Sequence, residues 1–571
     1  MSGRTYVSSI RPRLAELRPA VVSMAAVLGS FGTALLMESW AGLHTDVVVL
    51  AVALAVTLSR SQRDVELRHQ LLGLVELPVV ALAASQAGLL MHRAPVLGDA
   101  LFAVAVSGSI WLRRFGRTAA RAGTLLATPF LAMLIVPVPL AHEDARSLWT
   151  PLLGALAVGW VVLTRYLAER SGFVRRVPAS PGPRVVGGPR AGTPAGRRRL
   201  PASTRMAAQM GVALGVAFLV GHLVFPRHWP WVVMTAFIVS SGNRGRGDVV
   251  YKAVLRLVGA LFGVAAATLL AGAFAPGDKA AIVAIFVTLG VGSWLRSINY
   301  AFWAACVTAV LSLLYGYLGE SPTALLGGRL LGILLGGVIA IGAAWLVMPV
   351  RTTDILRRRT ADVLAALSDF LTAARQEPVA VGARRAEFDA SLAVLDQLAP
   401  TLRAHRLLTR RWRPRPRPAD LIDTLHRCRA PVATITRLAA ADPAALAGTG
   451  KHAGRLARAV GDLRLTLAGR TRTEPPPAPP TGSGAVAAGA VVAGPVVAGP
   501  VAAGPVAARP VAVGPVAVGP DGRDELVRAW TELGGVVAEL AVDIRATRPG
   551  SGRPVVPAGP EAEAGSLADS A

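Results

Sequence analysis

The sequence predicts an all-α, polytopic membrane protein: two parallel six-helix repeats, about 12 transmembrane helices, then a cytoplasmic α-helical C-terminal region. Three observations predict it. Apolar stretches recur twelve times between residues 20 and 350, in two sets of six. Arginines crowd alternate loops between them. The two sets also carry matching landmarks, offset by about 180 residues.

A helix needs about 20 apolar residues to cross hydrocarbon. The first set reads as spans 20–38, 45–59, 71–91, 99–112, 121–140 and 148–168. The second reads as 206–225, 229–241, 256–275, 279–294, 300–318 and 326–350. The second, fourth and eighth spans are short and cross only by tilting or where the bilayer thins. Ten crossings are the alternative count. The hydrophobic fraction of 53% and mean hydropathy of +0.50 exceed those of ordinary soluble domains.

Charge gives orientation. Arg4, Arg11, Arg13 and Arg18 precede the first span; Arg60, Arg63 and Arg68 follow the second; Arg113, Arg114, Arg117 and Arg121 follow the fourth. Arg244, Arg246 and Lys252 follow the eighth, and Arg351, Arg357, Arg358 and Arg359 the last. Opposite loops are acidic or mixed, with Glu38, Asp46, Glu143, Asp144, Asp278, Lys279 and Glu320. The rule that cytoplasmic loops collect Lys and Arg puts both termini inside. The net charge of +26 is therefore read as topology and attraction to anionic lipid, not nucleic-acid binding. The first 18 residues lack an apolar core, so the first span serves as signal-anchor.

Gly98-Asp99 opens the fourth span, which ends at Trp111-Leu112-Arg113; Gly277-Asp278 opens the tenth, which ends at Trp294-Leu295-Arg296. An even number of spans per half makes the repeats parallel, related by an axis along the membrane normal, with a substrate path at their interface. The chain then divides into a first membrane repeat (1–168), a basic Pro/Gly/Arg linker (169–205), a second repeat (206–350) and a cytoplasmic helical region (351–470). A low-complexity Pro/Gly/Ala/Val tether (471–521), an amphipathic helix (522–546) and a disordered tail (547–571) complete it. In the cytoplasmic region, 354–374, 384–409, 419–440 and 451–469 carry apolar residues at helical spacing, and RRWRPRPRP at 410–418 interrupts them. Leu526, Trp530, Leu533, Val537 and Leu540 form one face of the last helix, suited to docking on that bundle.

Catalytic chemistry is not indicated. GTGKH at 448–452 lacks the upstream glycine and the hydroxyl residue of a phosphate-binding loop, so ATP drive by this chain is not expected. No HExxH, CxxC or GxSxG occurs. Cys306 and Cys428 fall in separate regions, giving neither a disulfide nor a metal site. His222 and His228 flank the end of the seventh span with no carboxylate pattern joining them. No cofactor, no metal and no enzymatic activity is expected.

Three features inside the spans remain. Glu76 lies in the third span, followed by Pro78. A carboxylate in hydrocarbon must be neutral, paired or wet, so Glu76 is either a proton carrier or a residue near enough to the cytoplasmic end to reach water or an arginine. Arg256 starts the ninth span and Arg329 enters the twelfth. Buried arginines attract anions, the alternative being structural pairing. Gly211 and Gly215, Gly259 and Gly263, and Gly332 and Gly336 stand at GxxxG spacing, which brings helices into close approach. Trp229, Trp231, Tyr315 and Tyr317 read as an interfacial belt.

The segment HWPWVVMTAFIVSSGNRGRGDVVYKAVLRLVGALFGVAAA (228–267) resembles the fusaric acid resistance-type family, through Trp229 or Trp231, a polar turn, and Arg256, Gly259 and Gly263 in an R-x-x-G-x-x-x-G span. The resemblance covers 206–350 well and 20–168 weakly. Residue 260 departs from it, being Ala where Thr often follows the glycine. The family, with its relatives the aromatic acid exporters and plant malate channels, implies efflux of small organic acids, aromatic carboxylates among them. A passive anion channel and a membrane-anchored scaffold stay open. The implied partners are membrane lipids and a small organic anion, with a homo-oligomer open. Lys252, Lys279 and Lys451 are the only lysines, and this Arg bias with the Ala, Gly, Pro and Val excess points to a GC-rich bacterium and its plasma membrane.

Overall fold

The computed structural model describes residues 17–42, 46–61, 67–135, 149–174, 200–226, 229–270, 274–296, 298–317, 319, 322–409, 418–442, 446, 448–468 and 520–546. Every regular element among them is helical. Two compact units result, one of residues 1–356 with 400–408, the other of 357–399 with 409–571. The tether 471–519 and the tail 547–571 lie outside the described residues.

In the first unit, α1 (Leu17–Ala41), α2 (Asp46–Ser61), α3 (Leu67–Arg93), α4 (Pro95–Trp111), α5 (Arg117–Ile135) and α6 (Trp149–Arg170) form one set. The second set is α7 (Ala202–Val224), α8 (Trp229–Ser240), α9 (Arg246–Leu270), α10 (Lys279–Leu295), α11 (Tyr300–Tyr317) and α12 (Pro322–Leu346). In the first set α1 packs on α2 and α6, α6 also on α2 and α3, and α5 on α3 and α4. In the second, α7 packs on α8 and α12, α12 also on α8 and α9, and α11 on α9 and α10. Between the sets, α4 lies against α7 and α10 against α1.

The outward faces are apolar. Val283, Val287 and Val291 make an exposed stripe along α10, Leu331, Leu334 and Val338 along α12, and Leu97, Leu101 and Val104 along α4. The inward faces hold alanine, glycine and hydroxyl residues such as Ser30, Ser109, Thr235 and Thr308. That inversion of the soluble pattern is what lipid around the helices selects, because the backbone polar groups are already satisfied within each helix. Seven described helices are long and apolar enough to cross a membrane; Val47–Ser59, Glu76–Met91, Trp229–Ser240 and Lys279–Leu295 are apolar but shorter. The protein is a multi-pass membrane protein. Helix α8, at 12 residues, reaches only about 18 Å, short of a hydrocarbon core of about 30 Å. Its end is set by Gly242, whose φ of +56° terminates the helix.

The turn between α8 and α9, GNRGRGD, is a packed joint rather than a free basic loop. Asp248 is buried and accepts from the Arg244 amide at 3.0 Å, from Thr401 Oγ1 at 3.3 Å and from Lys252 Nζ at 2.9 Å. Gly245, at φ +115°, passes so close to Thr352 that a side chain could not replace it. Gln209 donates to the Val347 and Met348 carbonyls at 2.9 and 3.2 Å, pinning the left-handed Met348 (φ 45°). Because this joint is helical from Arg246 onward, α9 begins ten residues before the apolar run that sequence reading took as the span's start.

The second unit contains the rest of α13 (Thr352–Gln376), then α14 (Val381–Asp396), part of α15 (Ala399–Leu408), α16 (Pro418–Arg427), α17 (Arg429–Ala441), α18 (Gly450–Leu467) and α19 (Pro520–Ala546). The expected helices 384–409 and 419–440 are each broken in two, ahead of Pro400 and Pro431, which cannot donate to the preceding turn. Helix α19 packs on α16, α17 and α18. Leu526, Trp530, Leu533, Val537 and Leu540 are all buried there. Trp530 Nε1 donates to Thr449 Oγ1 at 3.1 Å, Thr424 Oγ1 donates to Asp543 Oδ2 at 2.9 Å, and Arg427–Glu539 and Arg437–Glu525 pair at the margins.

Candidate functional site

Among the described residues, the largest fully buried side chains are two arginines, Arg256 and Arg329. Both lie deeper than the sequence reading placed them. Arg256 is ten residues into α9, about 15 Å along it, and Arg329 is seven residues into α12, about 10 Å along it.

Arg329 sits in an aromatic clamp. Its guanidinium carbon is 4.4 Å from the Trp231 ring centroid and 4.6 Å from that of Tyr315. One Nη donates to Ser312 Oγ at 2.7 Å, and Ser312 passes its own hydroxyl hydrogen to the Thr308 carbonyl at 3.0 Å. The clamp depends on how closely α8 approaches α12. A Cβ at Gly332 would stand 3.1 Å from Trp231 Cβ, and one at Gly336 would stand 2.4 Å from the Val232 carbonyl oxygen. These two glycines therefore bring Trp231 over the guanidinium. Trp231, 9% exposed, is part of the core rather than of an interfacial belt. Cation–π attraction strengthens when both partners are desolvated.

Arg256 is 2% exposed, and its Nε is buried without a hydrogen-bond acceptor. No carboxylate pairs with it among the described residues. The nearest acid in its own helix, Asp248, is engaged by the joint described above. Thr235 Oγ1 on α8 is likewise buried with no partner. Helix α9 runs antiparallel to α12, since the Arg246 amide donates to the Val350 carbonyl and Ala253 faces Gly337. That register places the two arginines about 7 Å apart along the helix axes, at 1.5 Å per residue. A buried charge without a counter-charge costs several kcal/mol, about 3–5 when a partner is removed.

The other expected residues fall as follows. Gly259 and Gly263 seat α9 on α11, where added Cβ atoms would be 2.5 Å from the Ala301 and 2.4 Å from the Ala305 carbonyl oxygens. Gly211 meets Ser107 Oγ at 3.1 Å, but Gly215 has nothing within 4 Å, so that GxxxG pair is only half a contact. Glu76 is exposed on α3, in the first set, and α3 packs chiefly against α4, α5 and α6; the structure does not bring it to the arginines. His222 does have a carboxylate partner, which sequence spacing missed: its Nε2 is 2.9 Å from Asp99 Oδ2, 123 residues away. His228 lies outside the described residues.

No curated relative and no solved structure matches the chain. Residues 212–343 match the family model described as fusaric acid resistance protein-like. The matched segment takes in most of α7 through α12, and with them both buried arginines, the aromatic clamp and the two glycines that build it. Over this segment the chain is similar to the fusaric acid resistance protein-like family.

Proposed function

We propose that this protein is a membrane transporter that exports small organic anions, aromatic carboxylates foremost, by a secondary mechanism with no ATPase of its own. The observation that carries the reading is the pair of fully buried guanidiniums in the family-matched segment, one of them without a counter-ion among the described residues. A guanidinium presents a planar fork of donors that fits a carboxylate bidentately. Trp231 and Tyr315 hold the Arg329 guanidinium against their rings and fix its orientation toward an entering acid.

The six pairings common to both helix sets, with α4–α7 exchanged for α10–α1 between them, support two parallel repeats and twelve crossings about an axis along the membrane normal. In that arrangement both termini and the second unit lie on the cytoplasmic side of a bacterial plasma membrane, where the Arg-rich turns belong. The carboxylate of Glu76 would carry a coupling proton.

The test is flux of a labelled aromatic carboxylate into proteoliposomes, with and without an imposed pH gradient. Accumulation driven by the gradient supports the reading. Movement that follows only the concentration gradient would make the protein a channel. Flux unchanged in Glu76→Gln at every pH removes Glu76 from the coupling role.

A further inference from the structure

We infer that the His222–Asp99 pair is a proton-binding site joining the two helix sets, and that it couples protonation to their movement. The inference rests on the transporter reading above. Asp99 is the fifth residue of α4 and His222 lies in the last turn of α7, so the pair bridges the two sets at one end of the bundle. The His222 Nε2 and Asp99 Oδ2 atoms are 2.9 Å apart, with side-chain exposures of 37% for the histidine and 13% for the aspartate. The second carboxylate oxygen, Asp99 Oδ1, is buried without a hydrogen-bond partner.

The surroundings are built rather than incidental. The imidazole stacks near Phe218, with centroids 6.3 Å apart, and lies 4.9 Å from the Trp229 ring. Phe218 in turn touches Phe102 of α4, so the pair sits on a packed seam between α4 and α7. Other ionisable groups at this end are few among the described residues. From the elements packed against α4 and α7 they are Arg93, the last residue of α3, and Arg329 of α12; α8 contributes none. The side chain of His92 and all of His142, Glu143, Asp144, Arg227 and His228 lie outside the described residues.

An ionisable pair within a membrane helix is costly unless it works, and histidine is the side chain whose charge changes near neutral pH. Taking up one proton converts imidazole and carboxylate, net charge −1, to imidazolium and carboxylate, net charge zero. No covalent bond other than that N–H forms or breaks. The added positive charge tightens α4 against α7; its loss leaves only a hydrogen bond between neutral imidazole and carboxylate and loosens them. By the alternation of Arg-rich loops this end faces outward, where protons are abundant for an exporter that exchanges them for its anion.

Two measurements on the full-length protein test it. The first is the pH dependence of Trp229 emission, taken as wild type minus Trp229→Phe, because a protonated imidazole quenches an indole it touches. The inference expects a pH-dependent step that disappears in His222→Gln and is displaced in Asp99→Asn. The second compares pH-gradient-driven accumulation with anion exchange at equal pH in proteoliposomes. His222→Gln and Asp99→Asn should lose the former and keep the latter. A missing step, or gradient-driven accumulation intact in both variants, overturns the inference. If the wild type moves no anion at all, the transporter reading fails, and the emission titration alone decides whether the proton site exists.

Discussion

Replacing Gly336 by alanine should loosen the helix contact that forms the arginine clamp, whereas the same change at its neighbour Gly337 should not. A Cβ at Gly336 would lie 2.4 Å from the Val232 carbonyl oxygen and 2.9 Å from Thr235 Cβ. Ordinary contact begins near 3.4 Å, so α8 and α12 must separate by about 1 Å. Neither obstacle is the end of a flexible side chain, and forcing extra volume into packed helices costs about 1–3 kcal/mol. At Gly337 the nearest atom, Ala253 Cβ, stands at an ordinary 3.6 Å. Both substitutions gain about 1 kcal/mol of helix propensity, which cancels when the two variants are compared. The expected difference between them is thus about 1–3 kcal/mol, or about 2–12 °C in thermal midpoint for a domain of a few hundred residues. Unfolding of the detergent-solubilised protein, followed by tryptophan emission, reads that difference. Gly336→Ala should also weaken anion flux, because a displaced α8 moves Trp231 off Arg329. Equal midpoints for the two variants would refute the reasoning that these glycines set the clamp.

Three further outcomes follow for the second unit. Leu533 is completely buried beneath α19, so Leu533→Ala should cost about 2–5 kcal/mol, seen as earlier detachment of α19 in proteolysis. Burial pushes the Asp543 carboxyl above its ordinary value, outweighing the hydrogen bond from Thr424, so the fold favours its neutral form. Its contribution to stability is present below the usual value of 3.8 and is lost as pH rises; Asp543→Asn should therefore stabilise at pH 7 and make no difference in acid, as measured by the denaturation midpoint. Burial also pushes the Cys428 thiol up to about 12. It should resist maleimide at pH 8 until the protein is unfolded, and its contribution to stability should decline as pH rises above the ordinary 9.0.

Local patterns made much of the fold legible. Runs of apolar residues located the membrane helices, since a bilayer imposes length and hydrophobicity on each helix independently of its neighbours. The polar start of α9 was not legible that way. RGDVVYK looks like a loop by hydropathy, yet Asp248 anchors its first turn, and Arg256 lies ten residues deeper as a result. Glycine spacing marked close approach but not its target: Gly263 and Gly336 meet backbone, while Gly215 meets nothing. The site depended on long-range pairing, which no local pattern encodes. Trp231 and Tyr315 read as interfacial aromatics until α8, α11 and α12 were seen to bring them to one guanidinium. His222 and Asp99 are separated by 123 residues and meet only because α4 packs on α7. A signal was nonetheless present: each is an ionisable residue at the end of an apolar run, and such residues call for a partner.

The central claim is that buried guanidiniums in the family-matched segment, residues 212–343, draw an organic anion through the membrane. The most direct measurement is the initial rate of labelled aromatic carboxylate uptake into proteoliposomes across substrate concentration, for wild type, Arg256→Gln, Arg329→Gln and Arg329→Lys, each checked for folding by its thermal midpoint. The account predicts saturable uptake by the wild type, a loss of apparent affinity or rate in both glutamine variants, and incomplete rescue by lysine, whose point charge cannot reproduce the fork between Trp231 and Tyr315. Uptake that stays unchanged in folded Arg256→Gln and Arg329→Gln proteins would contradict it.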